Sequence, residues 1–349
     1  MSEVKQIILF GAGVAGQIAL CYYGNERVYC FADNNKHGQE ICGKRVISFD
    51  ELLQIHSLYV VLIAASFEVC QSIKNQCADN GITAEAYDKT ITHLDYESNP
   101  EIAKYRDIHA GKRCFLVGNG PSLRPDDLDK ICRSGDVSFG CNLIYKIFPE
   151  TKWRPDYFSV CDISLLQTYY QNFSSVDANC KFINSPFQFD CKNRTEIIDC
   201  FLRGRGETCF YSKSTPASNI ESRFSPDPSR LVYNFQTVMY VMLQIAVYMG
   251  FDRIYTIGVD NTGGHTADSI REIFSDVNHF YSEKDADAAA SQFLSFRDGF
   301  VDIKLSARCA DTGYVVAKNS CQNRGVNIFN ATRGGMLETF ERVDFDSLF

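Results

Sequence analysis

CFLVGNGPSL, residues Cys114–Leu123, is an apolar run that ends in Gly-Asn-Gly and is followed at once by proline. The run reads as a buried strand, and Pro121 suits the first turn of a helix. A strand leading into a helix N-terminus is a natural cradle for phosphate. A similar unit, IILFGAGVAG, stands at Ile7–Gly16. Two such units in one chain predict an α/β protein with two Rossmann-like domains, each a mostly parallel sheet with helices on its faces.

The first 99 residues contain no proline, and all nine prolines lie from Pro100 onward. That shift, with the polar stretch DYESNPEIAKYRDIHAGKR, predicts a small domain over 1–95, a linker over 96–111 and a larger domain over 112–349. Before the boundary, strands are expected near 5–10, 27–32, 45–48, 58–64 and 84–87, with helices at 14–23, 49–55 and 66–80. After it, CFLVG, DVSFGCN, PDYFSVCD, KFINSP, RIYTIGVD and VNIFNAT read as strands. LDKICRSG, ISLLQTYYQNF, TVMYVMLQIAVYMG, DADAAASQFLSFRD and RGGMLETF read as helices. The third of these is apolar nearly all round, so it should be buried, with Thr237 as its N-cap. Residues 192–230 carry Arg194, Arg203, Arg205, Arg223 and Arg230 with three prolines. They read as an irregular basic insert, either solvated or a lid over an anionic ligand.

Net charge is −8, which disfavours nucleic acid as a partner. None of the 15 cysteines forms a C-x-x-C pair, so a zinc site is not expected. The N-terminus lacks signal-peptide architecture, and no run approaches a membrane span. A cytoplasmic protein with reduced cysteines is the expectation. Hydrolase and P-loop chemistry have no support, because G-x-S-x-G and G-x-x-x-x-G-K-[ST] are both absent.

Gly11, Gly13 and Gly16 form G-x-G-x-x-G between a strand and a helix, the context of a dinucleotide fingerprint. Asp33 ends the next strand, where an acid can bind ribose hydroxyls. FADNNKHGQEICGKRVIS resembles a segment of the N-terminal Rossmann-like domains of bacterial sugar-modifying proteins, such as sugar acetyltransferases. The resemblance implies a nucleotide-sugar pocket; a docking domain that keeps only the tight turn is the other reading.

In the larger domain Gly118, Asn119, Gly120 and Ser122 form the glycine turn. Asn142, Asp162 and Asp260 each end a predicted strand, and in an open parallel sheet that edge binds ligands. GNGPSL, then GCN, then ISL after a strand, then GVD, and finally NHFY and NIFNATRGG, resemble bacterial sialyltransferases of the Campylobacter type. They are still more similar to the related DUF115, or MptE-like, group, which includes motility-associated glycosyltransferases. The resemblance implies a glycosyltransferase-A-variant sheet, a CMP-linked nonulosonic acid as donor and no required cofactor or metal. It places Asn119 and Asn142 at nucleotide-binding asparagines and Asp162 where the sialyltransferases carry another. It places Thr237 at the helix after the cytosine-recognition turn. Two departures stand out: that turn is Gln236-Thr237-Val238 here, and Asn261-Thr262-Gly263-Gly264 replaces the phosphate-gripping tyrosines.

Glycosyl transfer to a hydroxyl needs a base, and histidine suits the task. His279, in VNHFYSE, resembles the region of the sialyltransferases' catalytic histidine and is the preferred general base; His265, in NTGGHT, is the second candidate. Backbone N–H groups at Gly120–Ser122 are expected to hold the leaving phosphate. Asn330 and Arg333 are expected at an anion-binding helix start. The expected function is inverting transfer from a nucleotide-sugar to a glycan or glycoprotein acceptor, with a homo-oligomer allowed. Two alternatives are an ATP- and magnesium-dependent pyrophosphokinase, with Asp162 and Asp260 on the metal, and a non-catalytic nucleotide-sensing module.

Overall fold

Alternating apolar runs and helical segments give the chain two mostly parallel sheets, each built largely by strand–helix–strand steps. The computed structural model describes residues 5–65, 67–86, 96–186, 193–214, 224–273, 278–281, 290–291 and 303–349. The described residues divide into two compact units, the first within 5–86 and the second within 96–214 and 224–349.

The first unit runs β1 (Ile7–Phe10), α1 (Val14–Tyr23), β2 (Val28–Ala32), β3 (Glu40–Ile41), β4 (Lys44–Ile47), α2 (Phe49–Ile55), β5 (Val60–Ile63), α3 (Phe67–Asp79) and β6 (Ala84–Ala86). Its six-stranded sheet has the order β3-β4-β2-β1-β5-β6. All pairings are parallel except the β3–β4 hairpin, which sequence patterning did not reveal. Ser48 and Glu51 close a reciprocal capping box on α2, which satisfies backbone donors at its start.

The second unit adds α4 (Pro100–Ala103), β7 (Arg113–Val117), α5 (Pro125–Ser134), β8 (Val137–Cys141), β9 (Tyr157–Val160), α6 (Ile163–Ser174), β10 (Cys180–Asn184), α7 (Arg194–Arg203) and β11 (Glu207–Tyr211). It continues with β12 (Lys213–Ser214), β13 (Val232–Tyr233), α8 (Val238–Tyr248), β14 (Arg253–Ile257), α9 (Gly263–Thr266), α10 (Ile270–Ile273), α11 (Ile303–Gln322), β15 (Asn327–Asn330) and β16 (Glu341–Arg342). Eight parallel strands order as β11-β10-β9-β8-β7-β14-β15-β16. Phe115, Val117, Phe158, Val160 and Ile183 meet α5, α6 and α7 in one core through Leu128, Ile131, Leu166, Phe173, Ile197 and Phe201. Helix α8 lies against β7 and β9 and is absent from that core, so it covers the opposite face, and α11 packs on α8. Thr237 caps α8, its Oγ1 accepting from the Met239 N–H at 3.3 Å. No described helix is long and apolar enough to cross a membrane.

Three expectations change. Residues 192–230 are not a wholly irregular insert: α7 and β11 within them extend the parallel sheet. Their arginines are largely engaged, Arg194 with the Pro186 carbonyl, Arg203 with Asp199, Arg205 with Asp177 and Arg230 with Asp227. RGGMLETF is not a helix, because Arg342 holds it as a loop by donating to the carbonyls of Gly334 and Gly335 at 2.8 and 3.1 Å. Helix α11, at 20 residues the longest described, was not anticipated. Of DADAAASQFLSFRD only residues 290–291 are described; the rest of it, and Arg223, lie outside the described residues.

Candidate functional site

From β7 the chain steps through β8, β9 and β10 to β11, then returns to the other side of β7 for β14, β15 and β16. The reversal places a topological switch point at the carboxyl ends of β7 and β14, the kind of edge at which open α/β sheets bind ligands. The GNG turn follows β7, and Gly258–Asp260 follows β14. The two turns touch closely. A Cβ on Gly118 would lie 2.3 Å from the Gly258 carbonyl oxygen, and one on Gly120 would lie 1.8 Å from Asp260 Oδ2. Glycine is therefore required at both positions by space.

Asp260 is 6% exposed, and its Oδ2 accepts from Ser122 Oγ at 2.8 Å. Burial raises its pKa, opposed by the Ser122 hydrogen bonds. The N–H of Gly120 donates to the Gly258 carbonyl at 2.8 Å and that of Ser122 to Asp260 at 3.4 Å, while Pro121 has no N–H. The expected phosphate cradle at Gly120–Ser122 is thus corrected: its donors are taken up inside the fold.

The asparagines beside it differ. Asn119 Nδ2 donates to the Cys141 carbonyl at the end of β8, at 3.1 Å. A carbonyl only accepts, so this contact fixes which end of the amide is nitrogen. Asn119 Oδ1 is then buried without a hydrogen-bond partner, and so is Asn142 Oδ1 at the end of β8. Asn142 holds φ +49°, a left-handed conformation that asparagine tolerates better than most residues. Sequence reading missed Asn184, the last residue of β10. It is fully buried, its Nδ2 donates to the Cys161 carbonyl at 3.1 Å, and its Oδ1 is likewise unpartnered. The asparagine at the end of KFIN was the available signal. Lys213 Nζ donates to that same Cys161 carbonyl at 2.8 Å, which brings an ammonium to the edge.

Other candidates on this edge hold the fold. Asp162 caps α6, accepting from the N–H groups of Ser164 and Leu165 at 2.8 and 3.0 Å. Asn330, 1% exposed, donates to the Leu337 carbonyl and accepts from the Thr332 N–H. Arg333 opens no helix. It pairs bidentately with Asp127 at 2.8 and 3.0 Å and reaches Asp346 at 2.7 Å, so the expected anion clamp is corrected to an internal ion-pair network.

The histidines lie on either side. The Phe280 N–H donates to the Asn119 carbonyl at 3.0 Å, which brings the His279 segment onto the glycine turn. The His279 ring stacks on Tyr281 with centroids 4.9 Å apart, and the Lys146 ammonium lies over Tyr281. His265 Nε2 is 3.1 Å from Asp311 Oδ2, and Asn261 Nδ2 donates to Asp311 Oδ1 at 2.8 Å. These three line a cavity of about 350 Å³ with Met336, Leu337, Glu338 and Thr339.

In the first unit, a Cβ on Gly11 would meet the Ala64 carbonyl oxygen at 2.3 Å and one on Gly16 the Gly11 carbonyl oxygen at 1.9 Å, while Gly13 precedes α1 with open space around it. Asp33 Oδ2 accepts from the Ala12 N–H at 2.8 Å, and Oδ1 from Asn35 and Lys36. Its carboxylate braces the glycine loop, which alters the expectation of a group reserved for ribose.

No family model and no curated protein matches the chain. Among solved structures, the MAf glycosyltransferase from Magnetospirillum magneticum AMB-1 is similar, at 14% identity and a TM-score of 0.40. The similarity covers 99% of this chain and 58% of that one, so the chain spans less than two thirds of that structure.

Proposed function

We propose that the second unit is a glycosyltransferase that takes its donor at the carboxyl edge of the eight-stranded sheet. The observation that carries this reading is the pair of buried, unpartnered side-chain carbonyls of Asn119 and Asn142 beside the switch point. Leaving such an acceptor unpaired costs about 1–3 kcal/mol. A ligand that donates hydrogen bonds removes that cost, and ribose hydroxyls or a cytosine amine do so. Because the glycine turn keeps its own N–H groups, that turn, among the described residues, offers no cradle for a pyrophosphate. That favours a donor with one phosphate, a CMP-linked sugar, and Lys213 suits the carboxylate of a nonulosonic acid. His279, brought onto the glycine turn, stands beside this edge. Transfer proceeds by single inverting displacement onto a hydroxyl activated by a histidine, within bacterial surface-glycan or glycoprotein synthesis.

Calorimetric titration of the intact protein with CMP, UDP, ATP and NAD tests the reading. CMP is expected to bind without a divalent cation. Binding of ATP only with magnesium, and none of CMP, would overturn it in favour of a pyrophosphokinase.

A further inference from the structure

The cavity beside β14 holds a second constellation. Asn261 follows Asp260 and takes φ +55°, the left-handed setting that asparagine tolerates. Its amide holds Asp311 Oδ1 at 2.8 Å, and Asp311 Oδ2 lies 3.1 Å from His265 Nε2. The fold builds this contact deliberately. Ala307 and Asp311 are four residues apart on α11 and so share a face. Gly264 brings α9 so near that a Cβ there would lie 2.7 Å from the Ala307 Cβ. His265, the next residue, then falls beside Asp311.

A carboxylate at Nε2 requires the proton on that nitrogen, which leaves Nδ1 as the ring's acceptor. A histidine oriented by a carboxylate that is itself oriented by a third group has the arrangement of a general base. His265 is 27% exposed, open enough to meet a substrate. Asp311 and Glu338 both line the cavity, so a phosphate there would meet like charge, while hydroxyls would meet acceptors. The loop carrying Glu338 is tied to the donor edge, since the Met336 N–H donates to the Asp260 carbonyl at 2.6 Å.

We infer that this cavity receives the hydroxyl-rich acceptor and that His265, rather than His279, is the base. The inference rests on the glycosyl-transfer reading above. The acceptor O–H proton passes to His265 Nδ1, the freed oxygen bonds to the anomeric carbon, and the bond from that carbon to phosphate breaks. Its electron pair leaves with CMP. Asp311 and Asn261 act as positioning residues.

The test measures CMP release from a CMP-linked nonulosonic acid by the intact protein, with water or a methyl galactoside as acceptor, alongside calorimetric CMP affinity. His265→Gln is expected to lose 100-fold or more in turnover, the usual range for removing a general base being ~10²–10⁴. Its CMP affinity should stay within threefold of wild type. Asp311→Asn should lower kcat at least tenfold with donor KM unchanged, and Asp311→Glu should recover part of that loss. His279→Gln should weaken CMP binding. Wild-type turnover in His265→Gln overturns the inference while donor binding stands, as does a wild-type protein that binds CMP yet releases none from the donor. A wild-type protein with no CMP affinity overturns the underlying reading and the inference with it.

Discussion

Asn142 meets a backbone demand and leaves a side-chain acceptor open at once. Its left-handed φ ends β8, and its side-chain oxygen is buried without a partner at the carboxyl edge of the sheet. Glycine accepts the same φ without strain, so Asn142→Gly separates the two roles. We expect thermal stability to change little and CMP affinity to fall about tenfold, the ~1.4 kcal/mol worth of a good hydrogen bond. Unchanged affinity would remove Asn142 from the site. Gly120 is constrained by space instead. In Gly120→Ala the new carbon would sit 1.8 Å from Asp260 Oδ2, so a loss of ~1–3 kcal/mol in chemical denaturation is predicted. At this scale the sequence made position legible: Asn119, Asn142 and Asp260 do follow the ends of β7, β8 and β14. It was not legible where a partner decides the role. Arg333 looked like an anion clamp because Asp127, which claims it, is 206 residues away.

Among elements, strand and helix order was readable because apolar runs and caps are local. Asp162 caps α6 through two backbone N–H groups. Asp162→Ala should therefore cost ~0.5–2 kcal/mol in denaturant unfolding. A neutral result would remove the cap. Helix α11 escaped notice for a physical reason: glycine stands at its middle, and much of its apolar content is alanine and cysteine rather than large side chains. Gly313 is there because a Cβ would meet the Phe235 Cβ at 2.5 Å, so the helix lies close to the start of α8. In an open helix Gly→Ala would stabilise by up to ~1 kcal/mol. Gly313→Ala is expected to destabilise instead, and a higher melting temperature would contradict that packing. RGGMLETF misled in the opposite sense. Its pattern suits a helix, but the guanidinium of Arg342 collects its carbonyls.

The molecule as a whole carries two glycine motifs on two mostly parallel sheets, and their surroundings differ. The first loop is braced by Asp33, whereas the second leaves asparagine acceptors buried and unpartnered next to it. Composition could announce two nucleotide-type units, but which N–H and C=O groups remain available depends on contacts between distant turns. The stretch 96–111, expected as a linker, belongs to the second unit: His109 stacks on Phe251 and bonds Tyr157 at 2.8 Å. Burial lowers the His109 pKa, with Lys112 adding to the effect. Protonation therefore favours the unfolded chain. The stability given by the neutral ring is complete above the unfolded value near ~6.5 and is lost as pH falls from there through the lowered folded value. The melting temperature should drop between pH 7.5 and pH 5.5, and drop less in His109→Gln; equal drops would exclude His109 as the cause. The most direct test of the account as a whole is amide hydrogen exchange of the intact protein with and without CMP. Slower exchange is predicted in peptides spanning 114–123 and 137–145, at the ends of β7 and β8. Protection confined to residues 7–16, or none anywhere, would contradict the assignment of the donor site.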